Sequence, residues 1–496
     1  MQAIFEEISV SDFFYRNREL AGFSSPSRAT YMVIREVLEN SLDACEEAGV
    51  LPNVKVSLST VEGKVYRLTV KDNGFGVPVE EVPYAFGKFL YGSKFRLKQS
   101  RGVFGLGGAM ALLYGQVTSG MPARVAVSDG GDIFEFKLRI DVERNEPLVE
   151  GRKRRKNVNG WHGTFVEMFF KGDYPKAEGK IIQYLQQTVI ASPHAEVEFI
   201  DPAGRQRVFG RSVEEAPSPP VEVLPHPHGL DVEMLRRLVR RHGSKSLLSF
   251  MVKSFQRVGL ATAKRFLEEA GFSPYQPVSS LSDRDILDLL DAMRNYKFPP
   301  PDAKCLSPIG RDALEAAIRK MFDPDFLYVC QRPPSVYRGH PFIVEVAVAY
   351  GCKNVEAGNG VSLYRFANKI PLVYDAYSDV SMKVVKRFNW SSYVSRPAAI
   401  AVFTHICSTR VPFKTAGKEC VADPPEVERE IEMGLRECCR RLKTFLTGKI
   451  EVEEYGRRMK AYRRYLPEIA RLAAELAGRD KPPSVADLIE EGGAWR

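Results

Sequence analysis

Glu36, Asn40 and Asp43 stand at four- and three-residue steps in the string Arg35-Glu36-Val37-Leu38-Glu39-Asn40-Ser41-Leu42-Asp43-Ala44. On a helix that spacing puts them on one face. A carboxylate at 36 can take the proton of an attacking water. An amide oxygen at 40 is a hard ligand suited to Mg²⁺ beside phosphate. Taken alone, the segment reads equally as an amphipathic helix with its charges in water.

Three further strings follow. Asp72-Asn73-Gly74-Phe75-Gly76 offers a carboxylate for an exocyclic amine such as adenine N6. Its glycines permit positive φ and close ligand approach, although singly such a string is most often a turn. Arg101-Gly102-Val103-Phe104-Gly105-Leu106-Gly107-Gly108 runs into a helix. Backbone N–H groups and a helix N-terminus suit phosphates there. No Gly-Lys-Ser/Thr ends it, so it is not a Walker A loop. Upstream, the Ser93 hydroxyl and Lys94 amine are expected at the phosphates. In His162-Gly163-Thr164 the Thr164 hydroxyl is expected behind Asp72.

These strings need elements to position them. Apolar periodicity predicts a helix over 26–50, started by Ser25-Pro26. Alternation predicts strands at 54–60, 65–71, 122–127, 133–141, 164–170 and 195–200, with helices from near Gly108 and over 177–192. An α/β sandwich of roughly 215 residues is a normal domain size. Prolines across 213–229 mark a linker, and 231–241, 244–252, 259–270 and 283–293 read as helices of a small insert. A helix and several strands follow over 310–415, then long helical stretches at 424–447 and 451–477 and a short tail. The expected fold is a multidomain α+β chain divided at 1–212, 213–305, 306–478 and 479–496.

The chain has 496 residues, 44% hydrophobic and 27% charged, with eight cysteines. No long apolar run or secretory leader is visible, so a cytoplasmic protein without a membrane span is expected. No Cys-x-x-Cys pair occurs, which disfavours a zinc ribbon and predicts buried, reduced thiols. The net charge of +9 leans towards an anionic partner. Its densest cluster, Arg152, Lys153, Arg154, Arg155 and Lys156, is expected as a loop touching duplex phosphates.

In their order, Glu-x-x-x-Asn, Asp-x-Gly-x-Gly, Gly-x-x-Gly-x-Gly and Gly-Thr jointly resemble the Bergerat, or GHKL, ATPases, which include gyrase and histidine kinases. The resemblance implies ATP and Mg²⁺, with Glu36 as general base, Asn40 as Mg²⁺ ligand and Asp72 as adenine-reading acid. It makes Gly102 to Ala109 the phosphate lid. Outside this region, His226-Pro227-His228-Gly229 and Cys305-Leu306-Ser307-Pro308-Ile309-Gly310 resemble the entry and exit of the helix-two-turn-helix domain of topoisomerase VI-type B subunits. Tyr364-Arg365-Phe366-Ala367-Asn368-Lys369 resembles their transducer strand, and Val411-Pro412-Phe413-Lys414 to Glu419 their switch-lysine loop.

That resemblance implies a switch lysine at the γ-phosphate: Lys418, with Lys414 as alternative. It implies a strap at Phe13 to Phe23, ATP-dependent homodimerisation, a DNA-cleaving A subunit in an A2B2 assembly, and passage of double-stranded DNA with supercoil relaxation and decatenation. The competing function is a GHKL clamp of chaperone or mismatch-repair type without strand passage. The chain departs from the family at Gly108-Ala109-Met110, where relatives carry a bulkier residue and a lysine. Asn389-Trp390-Ser391-Ser392-Tyr393 keeps the family's aromatics and lacks its lysine.

Overall fold

The computed structural model describes residues 7–92, 97–102, 105–354, 360–394, 399–415, 417–482 and 484–485. Helix α1 (Val10–Arg16) leads to α2 (Pro26–Glu47). Ser25 caps α2 by accepting from Arg28 N at 3.3 Å, and Pro26 occupies the first turn, where its missing N–H costs nothing. Every residue from Ala29 to Glu39 is buried. α2 is therefore enclosed on all sides and is not the amphipathic surface helix its charges allowed.

After α2 come β1 (Asn53–Glu62), β2 (Val65–Lys71), α3 (Val82–Gly87), α4 (Gly107–Ser119), β3 (Ala123–Asp129), β4 (Asp132–Asp141), β5 (Glu146–Lys156), β6 (His162–Lys171), α5 (Tyr174–Ala191), β7 (Glu196–Ile200) and β8 (Gln206–Phe209). The strands form one sheet in the order β5-β4-β3-β6-β2-β1-β7-β8. Its pairs are antiparallel except β1 with β7. Alternate residues such as Val54, Val56, Leu68, Val70, Val166 and Met168 face one core with α2, α4 and α5.

The basic string expected as a loop is instead the end of β5, at the sheet edge. Arg152 pairs in register with Phe136, and Arg154 with Phe134. Their guanidinium carbons lie 5.4 Å and 5.6 Å from those ring centres. Aromatic partners give the cations a sheet surface to lie on, and their charge protects the open edge from further pairing.

A helical insert follows: α6 (Val232–Arg241), α7 (Leu247–Ser254), α8 (Leu260–Glu269) and α9 (Asp283–Asn295) enclose a separate core around Phe250, Phe266 and Leu289. Then come α10 (Arg311–Phe322), β9 (Phe326–Gln331), β10 (Ser335–Tyr337), β11 (His340–Tyr350), β12 (Val361–Ala367), β13 (Ile370–Pro371), α11 (Val380–Arg387), β14 (Ile400–Ser408) and α12 (Pro425–Leu476). The second sheet runs β10-β11-β14-β12-β13, with β9 also on β11. β11 and β14 are buried at every position because both faces are covered. α12 and α11 lie on one face through Ile431, Leu435, Val380 and Val384. α10 covers the other face, joined there by Ile190 and Ala191 of α5.

The two helical stretches expected over 424–477 are one helix of 52 residues with Pro467 inside it. At 1.5 Å per residue it spans roughly 80 Å. Lone glycines such as Gly448 cost only about 1 kcal/mol in a helix and do not end one. All eight cysteines are buried and free. Among the described residues no helix is long and apolar enough to cross a membrane.

Candidate nucleotide site and its link to the second sheet

The start of α4 is seated on α2. A Cβ on Gly107 would overlap the Glu36 carboxylate, and one on Gly108 would lie 3.2 Å from Asn40 Nδ2. Glu36 is buried and Asn40 half-buried. No side chain caps α4 at Leu106, so its first N–H groups and positive dipole end are left for an anion. One hard amide oxygen beside a carboxylate and this helix end fits a Mg²⁺ that takes its remaining ligands from phosphate and water. Among the described residues no group of three His, Cys, Asp or Glu could hold a metal by itself.

Asp72 closes the far end of the same face. Its Oδ1 accepts from Gly74 N at 3.0 Å and Thr164 N at 2.9 Å. Thr164 thus supports this acid through its backbone N–H, where its hydroxyl was expected to do so. Gly163, with φ at +130°, lets β6 pass Asp72 where a Cβ would strike the Asp72 backbone. Burial pushes the Asp72 carboxyl above its ordinary value, against the pull of these two N–H donors and Ser41. Asn73, a variable position of that motif, is structural. Its Oδ1 accepts from Asn53 N at 2.8 Å, and its Nδ2 donates to Leu51 O at 3.1 Å.

Asp43 is turned to a purpose the sequence did not suggest. Arg101, at the mouth of the glycine-rich loop, donates to Asp43 Oδ1 at 2.8 Å, Glu46 Oε1 at 2.6 Å and Ser192 Oγ at 2.8 Å. From the second sheet, Lys369 Nζ comes within 3.6 Å of Glu46 Oε2 and donates to Ser307 Oγ at 3.1 Å. Burial opposes charge on Glu46, yet Arg101 first and then Lys369 hold its carboxyl well below the usual range. A cross-domain cluster of buried charges therefore fixes the base of the loop.

Lys418 is buried, and its Nζ donates to the Arg101 carbonyl at 2.9 Å. Its backbone is left-handed, at φ 54°, a conformation that costs a lysine about 1–2 kcal/mol. Lys414 points elsewhere: it is exposed and donates to Ser378 O at 2.7 Å. Of the two candidate lysines, only Lys418 reaches the glycine-rich loop.

The remaining expected residues divide as follows. Gly102, Gly105, Leu106 and Ala109 lie on the loop and first turn of α4, with Gly105 O accepting from Leu90 N at 3.2 Å. Ser93, Lys94, Val103 and Phe104 lie outside the described residues. On β5, Arg152 pairs with Glu80 at 3.0 Å and Arg154 with Asp132. Lys153, Arg155 and Lys156 are exposed on the same strand. Trp390 and Tyr393 pack on Phe388, at ring-centre distances of 5.0 Å and 5.4 Å. Phe14 of the expected strap stacks on Phe89 at 5.7 Å, while Phe13 and Tyr15 are exposed.

Sequence reasoning missed Glu46 and Lys369 of this cluster, His194, whose Nε2 lies 3.1 Å from Glu46 Oε1, and the buried pair of Arg35 and Glu39 at 2.8 Å. An Arg and Glu four apart on a helix ordinarily read as a solvated pair, and nothing local marks this pair as buried.

The comparisons with known proteins agree with this geometry. The model of the histidine kinase-, DNA gyrase B-, and HSP90-like ATPase matches residues 26–142. The model of the topoisomerase VI B subunit transducer matches residues 301–458. The type 2 DNA topoisomerase 6 B subunit of Metallosphaera sedula is 43% identical over 475 residues, 94% of this chain and 89% of that one. The protein of the same name from Saccharolobus islandicus is 41% identical over 486 residues, covering 96% and 92%. With a nucleotide-binding GHKL domain at one end, a transducer at the other and relatives aligned along nearly all of its length, the chain belongs to the family of type 2 DNA topoisomerase 6 B subunits.

Proposed function

We propose that this chain is the ATP-driven clamp of a DNA strand-passing enzyme, and that the observation carrying the reading is the contact of Lys418 Nζ with the Arg101 carbonyl, at 2.9 Å. A cation delivered from the transducer to the mouth of a phosphate-binding loop both stabilises charge on the transferring phosphoryl group and senses whether it is present. Asp72 reads the adenine N6 amine. The N–H groups from Gly102 to Ala109, with Ser93 and Lys94, receive the phosphates. Glu36 takes the proton of the attacking water. Asn40, together with the phosphates, would hold a Mg²⁺, which would supply charge neutralisation there.

Two copies close on each other when ATP binds, with the strap at Phe13 to Phe23 crossing between them. Duplex DNA lies against β5 at Arg152 to Lys156. α12, at about 80 Å, is long enough to carry the change to a DNA-cleaving A subunit in an A2B2 assembly. The division at 1–212, 213–305, 306–478 and 479–496 follows from this reading. The assembly relaxes positive and negative supercoils and decatenates DNA.

The test is supercoil relaxation by the chain with its cognate A subunit. Relaxation is expected only with both subunits and ATP. Glu36→Gln is expected to bind nucleotide while hydrolysis falls by about 10²–10⁴-fold, the usual worth of a general base. Hydrolysis without relaxation under any pairing would leave a clamp of the chaperone or mismatch-repair type.

A further inference from the structure

We propose that Arg35 and Arg28 of α2 are positioning residues that latch the loop carrying Lys418, so that the lysine meets the nucleotide loop in one set place. The proposal rests on the reading of Lys418 given above.

Lys418 is flanked by two residues that α2 grips. Arg35 Nη1 donates to the Gly417 carbonyl at 3.0 Å, and Arg28 forms an ion pair with the Glu419 carboxylate. Arg28 also lies 4.7 Å from the centre of the Tyr374 ring, which meets Tyr31 of α2 at 5.0 Å. The chain is therefore held on both sides of a residue in the left-handed region, where the backbone would relax if released.

Arg35 is only 1% exposed. Its Nε donates to Glu39 Oε1 at 2.8 Å, while Arg35 Nη2 and Glu39 Oε2 are buried without a hydrogen-bond partner among the described residues. Burial works against charge on Arg35, and Glu39 holds it charged regardless. A buried ion pair with unmet polar atoms is a poor way to fill a core, since apolar residues of the same volume often stabilise as well or better. What the guanidinium gains here is reach: it joins the helix that bears Glu36, one residue away in the chain, to the carbonyl preceding Lys418. Arg35 touches neither nucleotide nor reacting atoms and acts through Lys418.

The experiment measures ATP hydrolysis by the full chain with its A subunit. Arg35→Gln, Arg35→Lys and Glu419→Gln are each made alone and with Lys418→Ala, and thermal unfolding is followed alongside. Arg35→Gln and Glu419→Gln are expected to lower kcat at least tenfold while KM for ATP changes less than threefold. In the Lys418→Ala background neither is expected to lower kcat further, because residues acting through one group are not additive. Arg35→Lys, which keeps the charge and one donor, is expected to recover part of the loss. Equal fold-losses in both backgrounds would mean a structural role only and would overturn the proposal. If Lys418→Ala is defective but the latch variants match wild type, the latch fails and the reading of Lys418 survives. If Lys418→Ala itself hydrolyses ATP normally, the reading of Lys418 fails first. Should Arg35→Gln not fold, Arg28→Gln, at the partly exposed partner of buried Glu419, decides the matter in the same way.

Discussion

Gly107 and Glu36 are in direct contact: the Cα of one occupies the space beside the carboxylate of the other, and a Cβ at 107 would fall inside it. The helix that offers its N-terminus to phosphate and the helix that offers a base to water are thus registered by the absence of one methyl group.

Gly107→Ala is accordingly expected to displace the Glu36 carboxylate from its place beside α4. Overpacking of this kind costs about 1–3 kcal/mol of stability. Hydrolysis is expected to fall further than stability explains, by about 100-fold, since displacements near 1 Å at a reacting centre have that effect. Kinetics read against the melting temperature check this; loss of hydrolysis no greater than the unfolded fraction would contradict it.

Asp72 gives the nucleotide affinity an acid limb. Burial raises its carboxyl above 3.8, and adenine N6 donates more strongly to the ionised form than to the protonated one. As pH falls through the raised value the charged acceptor is lost, so affinity should weaken at a higher pH than for an ordinary aspartate. By linkage, bound nucleotide should lower the same pKa. Asp72→Asn is expected to abolish the limb and to weaken binding by about 10–100-fold, the worth of one or two hydrogen bonds, because its amide oxygen is taken by the Gly74 and Thr164 N–H groups and its NH₂ then faces the N6 donor. Binding titrations across pH in both proteins measure this.

Glu46 is the shared acid of Arg101 and Lys369. Glu46→Gln would leave buried Lys369 without its acid and Arg101 with Asp43 alone, at a cost of about 3–5 kcal/mol. Lys369→Met leaves the Arg101 pair intact and should cost less. Denaturant unfolding of the two variants gives the order; a Glu46→Gln protein as stable as wild type would contradict it. The difference should persist in high salt, because these charges are shielded from solvent.

All five cations from Arg152 to Lys156 on β5 are exposed, and of these Arg152 and Arg154 are already ion-paired. Replacing Lys153, Arg155 or Lys156 by alanine is expected to reduce the slope of log affinity against log salt for duplex DNA by about 1. Arg152→Ala and Arg154→Ala should change it less. Slopes unchanged from wild type in all five variants would place the duplex elsewhere.

The sequence by itself determined the ATPase strings, most strands of the first sheet and the four helices of the insert. Each rests on local signals: a cap at Ser25, alternation in β2, and glycines before α4. It could not tell that Arg152 to Lys156 form a strand, because only the Phe134 and Phe136 rings of the neighbouring strand make a run of cations settle there. Nor could it tell that Lys418 rather than Lys414 reaches the Arg101 carbonyl. That choice depends on residues more than 300 positions apart in the chain, and on a helix buried on every side. Burial turns Arg35, Glu39 and Glu46 from solvated surface charges into groups that need partners, and only the packing of one domain on the other supplies them.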